Sequence, residues 1–340
     1  MKIFIALFLI FSSLSLMSQT AGKEFLVMFY NVENLFDTID DPKVNDNEFL
    51  PGGKKEWNSD RYYAKLANLS KVILAVDSNA IPDIIGLSEV ENKSVLKDLA
   101  RTMHYKKPVY QYIHEDSGDP RGIDVALMYN PNRFTVISYS SIPMNQMGES
   151  QKTRDILYVK GRASSGDTLH VFVNHWKSRV GGEQSTEIKR VFCAMTLKAK
   201  VDSILQIDPA SNIIVMGDFN DDPENKSIFQ ILQANNKRKN REAFELFNLF
   251  SDVHNFFGAG TLFYDKAWYL FDQMMVSNNL LLNDKGMKVK PDAGSILNYD
   301  WMTYREGQRT QLVPKPTYEG KEYIGGYSDH LPVFVKFAYP

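Results

Sequence analysis

Short apolar runs recur along the whole chain, each closed by polar or turn-forming residues, and nine of them read as strands. They are EFLVMFYN (24–31), IPDIIGLSE (81–89), IDVALMYN (123–130), FTVISYS (134–140), DILYVKGR (155–162), TLHVFVNHW (168–176), NIIVMGDFN (212–220), FDQMMVS (271–277) and LPVFVKFAY (331–339). Many alternate apolar with polar positions, the period of two expected when one face of a strand meets a core. Helical spacing replaces that period at about 60–78, 183–207 and 224–235. Asp222 followed by Pro223 predicts an N-cap with proline at the first position of the third helix. Helices set between so many strands predict an α/β fold with two packed sheets flanked by helices. Two long polar stretches, 37–60 and 283–329, interrupt the pattern and are expected to form surface walls or lids. No repeat, heptad or low-complexity linker divides the chain, so residues 22–340 read as one domain.

The beginning of the chain departs from this pattern. Lys2 precedes the apolar run IFIALFLIF (3–11) and then SSLSLMSQ. The run is too short and too rich in serine for a membrane span, and it predicts a signal peptide over 1–18, cleaved near Ser18 and Gln19. The expected address is secreted or periplasmic, with no stable span after cleavage. Cys193 is the only cysteine, so no intramolecular disulfide forms; it sits in the apolar register of a helix and is expected to be a small buried hydrophobe.

At 340 residues, 44% hydrophobic and 24% charged, the chain can bury a large core. A formal net charge of −2 disfavours holding long nucleic acids by electrostatics alone, so polyanion contacts must be local. Two basic runs offer themselves: Lys177 to Arg179, and Lys237 to Arg241, the second reading as a solvated helix end. Tyr299, Trp301, Tyr304 and Tyr318 in the late loop suit either stacking on bases or lipid, or packing within the loop.

The polar residues that close the apolar runs are of a particular kind: Asn31, Glu89, His175, then Asp218 with Asn220, and Asp329 with His330 just before the last run. Each alone is an ordinary turn residue. Together, on strands lying side by side, they would share one rim. The oxygen donors Glu89, Asn31 and Asp329 suit a hard divalent cation such as Mg²⁺. Zinc is disfavoured there, because His175 and His330 lack paired spacing and Cys193 is the only thiol.

In order and spacing, YNVENL, LSEVEN, NHWKSR, GDFND, FDQMMVS and YSDHLPVFVKF resemble the endonuclease/exonuclease/phosphatase superfamily, the DNase I-like fold, over 24–338. The resemblance implies a four-layered α/β sandwich with two central sheets, and hydrolysis of phosphodiesters or phosphomonoesters with Mg²⁺ or Mn²⁺. It implies that Glu89 binds the metal, with Asn31 and Asp329 as direct or water-mediated ligands. Asp218 would orient or deprotonate the attacking water, Asn220 and His175 would bond the phosphoryl oxygens, and His330 would pair with Asp272. Arg121 and Arg154 would contact phosphate, with Lys177 and Arg179 beside them. Two residues stand out: Asp124, where the family usually has a small or apolar residue, and Glu91, two positions beyond Glu89, expected as a solvated carboxylate. Loops, not shared motifs, select substrates in such a fold. The expectation is a monomeric, secreted metal-dependent phosphoesterase cleaving phosphodiesters, foremost a nuclease. The alternative is a phosphatase or phospholipase-C-like enzyme acting on inositol, sugar or lipid phosphates. A binding protein without hydrolysis is disfavoured by the intact Glu89, His175, Asp218 and His330.

Overall fold

In the computed structural model, which describes residues 23–103, 109–144, 153–305 and 311–340, the apolar runs form two large sheets. The expected signal peptide and its cleavage point lie outside the described residues. Ten strands come first: β1 (Lys23–Leu35), β2 (Ile84–Val90), β3 (Gln111–His114), β4 (Asp124–Tyr129), β5 (Phe134–Ile142), β6 (Ile156–Ala163), β7 (Thr168–His175), β8 (Asn212–Asp218), β9 (Ala234–Asn235) and β10 (Leu246–Asn248). One sheet has the order Ser295–Ile296, Val333–Tyr339, β1, β2, β4, β3; the other runs β5, β6, β7, β8, Asp272–Val276, β10, β9. Both are mixed: β1 is parallel to β2 and β7 to β8, while most other neighbours are antiparallel.

Central strands are apolar on both faces, and this corrects the expectation of one wet face. Along β1, Phe25, Val27 and Phe29 point between the sheets, where they meet Val171, Val173, Ile214, Met216, Val335 and Phe337. The intervening Leu26, Met28 and Tyr30 face outward against helices α1 (Ser59–Leu74) and α2 (Lys93–Met103), through Leu66, Leu69, Leu96 and Leu99. On the far side, Phe172, Ile213 and Val215 pack under helix α3 (Glu183–Ile207), with Ala194, Leu197 and Val201. Period two in side-chain direction thus builds three cores from unbroken apolar runs. The layers are helices, sheet, sheet, helix. Cys193 is buried in the third core, and burial pushes its thiol up to about 12, where it stays protonated.

The third expected helix is largely absent. Only Ser227–Ile231 is helical, one wide turn of π type, and 234–235 is already strand β9. Asp222 does not cap it: one carboxylate oxygen accepts from the Leu270 backbone N–H at 2.8 Å and the other pairs with Arg179 at 3.3 Å. Tertiary partners outbid the local cap signal. The run Lys237–Arg241 is likewise no helix end; Lys237 bonds Glu245 at 2.7 Å, Arg238 bonds Asp252 at 2.6 Å and Arg241 bonds Asn278 at 2.5 Å. Three of the late-loop aromatics make packing contacts: exposed Tyr299 stacks on Trp301, Lys71 covers Trp301, and buried Tyr318 abuts Trp57. No helix among the described residues is long and apolar enough to cross a membrane.

A pH-dependent stability term sits on β7, at the end remote from the strand-end polar residues. Buried His170 takes a hydrogen bond from the Tyr158 hydroxyl at Nδ1, 2.7 Å away, and burial, aided by Lys160 and Lys200, pushes its pKa down to about 4. A depressed folded-state pKa stabilises the fold above the unfolded value near 6.5 and loses that contribution as pH falls toward 4. The expected loss is about 2 kcal/mol, after allowance for partial solvent screening. His170→Gln should flatten the wild-type dependence of Tm on pH across that window.

Candidate active site

Strand register brings the strand-end residues to one rim. Across the seven-stranded sheet His175 lies opposite Asp218, and Asp218 opposite Asp272, so three polar side chains from three neighbouring strands share one end and one face. The other sheet ends at the same place, where Asn31 Nδ2 donates to Asp218 Oδ2 at 2.9 Å. The interior of this end admits little bulk. A Cβ on Gly217 would lie 2.5 Å from the Asn174 carbonyl oxygen, which explains the glycine of GDFN between β7 and β8.

Several site residues are held in left-handed backbone that side chains disfavour. Glu89 has φ 64° at a bulge in the pairing of β2 with β4; Glu33 and Asn34 have φ 52° and 51° at a bulge of β1; Asn220 has φ 51°. Such bulges re-aim side chains at sheet ends. The reward is visible in the bonds. The Asn34 backbone N–H donates to Glu89 Oε2 at 2.8 Å, the Asn220 N–H donates to Asp218 Oδ1 at 3.0 Å, and the Asn220 side chain donates to the Trp176 carbonyl at 3.1 Å.

Beneath Glu33 lies a cation that sequence reasoning missed. Lys65 on α1 is fully buried, 3.5 Å from Glu33 Oε2, and donates to Thr317 Oγ1 at 2.6 Å and the Tyr327 carbonyl at 2.8 Å. Burial pulls its pKa down while Glu33 pushes back; burial likewise raises Glu33 against the pull of Lys65. Removing one partner of such a pair strands a buried charge. Lys65→Met is therefore expected to lose about 3–5 kcal/mol of stability, measured by urea unfolding, with partial recovery when Glu33→Gln is added.

Electrostatics divide the two histidines. His330 Nδ1 donates to Asp272 Oδ2 at 2.6 Å, and its Nε2 lies 3.9 Å from Asp218 Oδ2. Burial opposes its charge, but Asp272, with Asp329 and Asp218 around it, holds its pKa well above the usual histidine value. His175 is the opposite case. Its Nε2 lies 3.5 Å from Asp218 Oδ2 and 3.9 Å from Glu89 Oε1, while burial, with Arg154 and Arg121, pushes its pKa well below the usual value. One ring is a neutral donor and the other an imidazolium. Burial also pushes Asp218 up to about 7, against the attraction of His330.

The oxygen donors fit a hard divalent ion. Burial raises the Asp329 carboxyl, His330 and Lys65 pull it down, and the charge of the Glu89 carboxylate nearby pushes it further up. A dication relieves that repulsion. Asn31 Oδ1 accepts the Glu33 N–H at 3.0 Å and retains a second lone pair.

The expected phosphate contacts fare differently. Arg179 is committed to the protein: it bonds the Asn220 carbonyl at 2.9 Å, Asp221 at 3.2 Å and Asn225 at 2.9 Å, and lies over the Phe271 ring. Arg154 is buried, with Nη1 on Asp119 at 3.0 Å and Nη2 on the Trp176 carbonyl at 2.5 Å. Both act as props of the rim, because desolvated guanidinium groups take all the acceptors the chain brings within reach. Arg121, about half exposed and 3.3 Å from Asp119, and half-buried Lys177 remain at its edge. Glu91 is not solvated. It is buried, accepts the Asp37 N–H at 2.6 Å, and is pushed up to about 8, chiefly by burial. Asp119, the clamp between Arg154 and Arg121, was invisible in the sequence, where nothing distinguishes it from a turn residue.

The sequence profile described as Endonuclease/Exonuclease/phosphatase family matches residues 26–339. No curated protein matches the chain. Among solved structures, the mannosyl-6-phosphatase Bt3783 of Bacteroides thetaiotaomicron VPI-5482 is 18% identical with a TM-score of 0.57, over 93% of this chain and 100% of that one. TDP2 of D. rerio, complexed with single strand DNA product, is 15% identical with a TM-score of 0.55, over 92% and 98%. The human Nocturnin catalytic domain with bound sulfate anion is 17% identical with a TM-score of 0.53, over 93% and 95%. At these identities the likeness is one of fold. With nearly the whole described chain inside the family profile, and two mixed sheets flanked by helices, the chain belongs to the endonuclease/exonuclease/phosphatase family of phosphoester hydrolases.

Proposed function

We propose that this chain is a divalent-metal-dependent phosphodiesterase, exported and monomeric, that cleaves nucleic acid. The observation that carries the reading is the meeting of Asp218, His175, Asn220 and the Asp272–His330 pair with the acidic donors Glu89 and Asp329 at one rim. A cation held by Glu89, Asp329 and Asn31 would supply Lewis-acid charge to a phosphoryl oxygen. Asp218, with a pKa near neutrality, is placed to accept the proton of an attacking water. Neutral His175 and the Asn220 amide donate to the equatorial oxygens as charge builds there, and His330, kept charged by Asp272, adds a cationic donor on the same side. Arg121 and Lys177 at the edge favour a neighbouring phosphate.

A second reading has its own support. A cavity of about 680 Å³ opens beside the rim, lined by Asn34, Asn45, Asn47, Thr317, Lys55 and Arg121 among others. Amides beside Lys55 and Arg121 suit a sugar or polyol phosphate, the phosphatase alternative. A panel of single- and double-stranded DNA, RNA, bis-p-nitrophenyl phosphate, hexose phosphates and inositol phosphates, each with Mg²⁺ and Mn²⁺, separates the two. Polymer cleavage that weakens as salt rises is expected. Turnover confined to monoesters would transfer the assignment to a phosphatase.

A further inference from the structure

A second group of metal-ligating side chains lies apart from the rim. His114 closes β3, Asp124 opens β4, and Asp116 stands in the loop between them; one donor atom from each lies within 4.8 Å of the other two. His114 is 1% exposed, yet neither ring nitrogen makes a hydrogen bond, although the Val90 carbonyl lies beside the ring. Its Nδ1 is 3.7 Å from Asp116 Oδ1 and its Nε2 is 3.7 Å from Asp124 Oδ2, too long for hydrogen bonds. With the Val90 carbonyl beside the ring to take the proton of one nitrogen, the other is buried without a partner, which is costly unless something fills that gap. Asp124 Oδ1 already accepts the Ser117 N–H at 3.1 Å, which leaves Oδ2 turned to the imidazole. An ion with nitrogen and oxygen bonds of about 2.0–2.2 Å in tetrahedral geometry holds its donors about 3.4 Å apart and takes only one ring nitrogen, so the three donors, within 4.8 Å of one another, close on it by a small side-chain adjustment. Beyond the carboxylates a cavity of about 480 Å³, lined by Asp41, Lys43, Glu91, Asp116, Asp119 and Asp124 among others, supplies an entry path and room for a water ligand.

We propose that His114, Asp116 and Asp124 form a Zn²⁺ site that clamps the β3–β4 turn, separate from the all-oxygen site at Glu89. One imidazole beside two carboxylates selects zinc over magnesium, whereas the rim's oxygen donors suit Mg²⁺, so the two sites separate by metal. The clamp has a consequence for the rim. The same turn carries Asp119, which accepts from both Arg154 and the Arg121 backbone N–H, and Arg121 itself. Against the cost of burial, those two arginines hold the Asp119 carboxyl below the usual range. Zinc would fix the base of the turn that presents them. The inference does not depend on hydrolysis.

The test is equilibrium dialysis of the purified chain against Zn²⁺ in a large excess of Mg²⁺, with bound zinc counted by mass spectrometry and Tm read in parallel. Wild type and Glu89→Gln should each retain one zinc and gain in Tm. Asp124→Asn and His114→Gln should retain none. Asp116→Asn changes a side chain 92% exposed, which folding tolerates, and should bind zinc about tenfold more weakly or worse, with no gain in Tm. Equal zinc affinity in wild type and both aspartate variants overturns the proposal, as does a zinc lost only in Glu89→Gln.

Discussion

Asp272→Asn folds like the wild type and loses most of its activity, by up to about 10⁴, the loss seen when an orienting carboxylate is taken from a catalytic histidine. The geometry behind this expectation is specific. Asp272 Oδ2 receives the His330 Nδ1 proton at 2.6 Å, and this carboxylate, against the cost of burial, leads the charges that keep the imidazole protonated above the usual histidine range. An amide of the same size keeps the packing but removes the charge. His330 should then titrate lower, and the activity that survives should fall off at lower pH than in wild type, because the ring loses its proton sooner. Adding His330→Ala to Asp272→Asn should cost little beyond His330→Ala alone, since the two residues act as one unit. Multiplicative losses in the double variant, or an unchanged pH profile in Asp272→Asn, would reduce Asp272 to a packing residue. Circular dichroism and Tm guard against a trivial folding loss.

Chelation should have an effect at least as large. EDTA is expected to abolish hydrolysis, and Mg²⁺ or Mn²⁺ to restore it, because the nearby Glu89 and Asp329 carboxylates repel one another and are hard oxygen donors that suit such an ion. Glu89→Gln keeps the size of the side chain but halves the charge offered to the ion; a loss of about 10³ or more in kcat is expected, several kcal/mol of transition-state stabilisation. Glu89 also accepts the Asn34 N–H at 2.8 Å across a strained bulge, so the variant is expected to lose some stability as well. Isothermal titration with Mn²⁺ separates the two effects. Wild-type Mn²⁺ affinity in a folded but inactive Glu89→Gln would place the cation elsewhere, and full activity in excess chelator would remove it from the mechanism.

The amino-acid sequence by itself determined which segments would be strands and which residues would close them. Apolar runs such as NIIVMGDFN have to be buried, and the polar residues that close this one, Asp218 and Asn220, are buried with it and must find polar partners there. The order of the motifs also carried the family, because the site is built from strand ends delivered in sequence order. Contacts across the molecule were not legible. Whether Asp222 caps a helix or bonds Leu270 depends on a loop 48 residues away. Arg154 and Arg179 read as free phosphate contacts because their acceptors, Asp119, the Trp176 carbonyl, the Asn220 carbonyl and Asp221, meet them only after the sheets close. Lys65, an ordinary lysine on an amphipathic helix, became a buried cation because the chain around Thr317 and Tyr327 folds over it. The left-handed turns at Glu33 and Glu89 carry no local signal either, unlike those at Asn34 and Asn220, whose residue type favours that backbone; Glu89 is held by a bond from Asn34, 55 residues away. Burial patterns are local properties of a chain; partners of charged groups and strained backbone are properties of the closed fold.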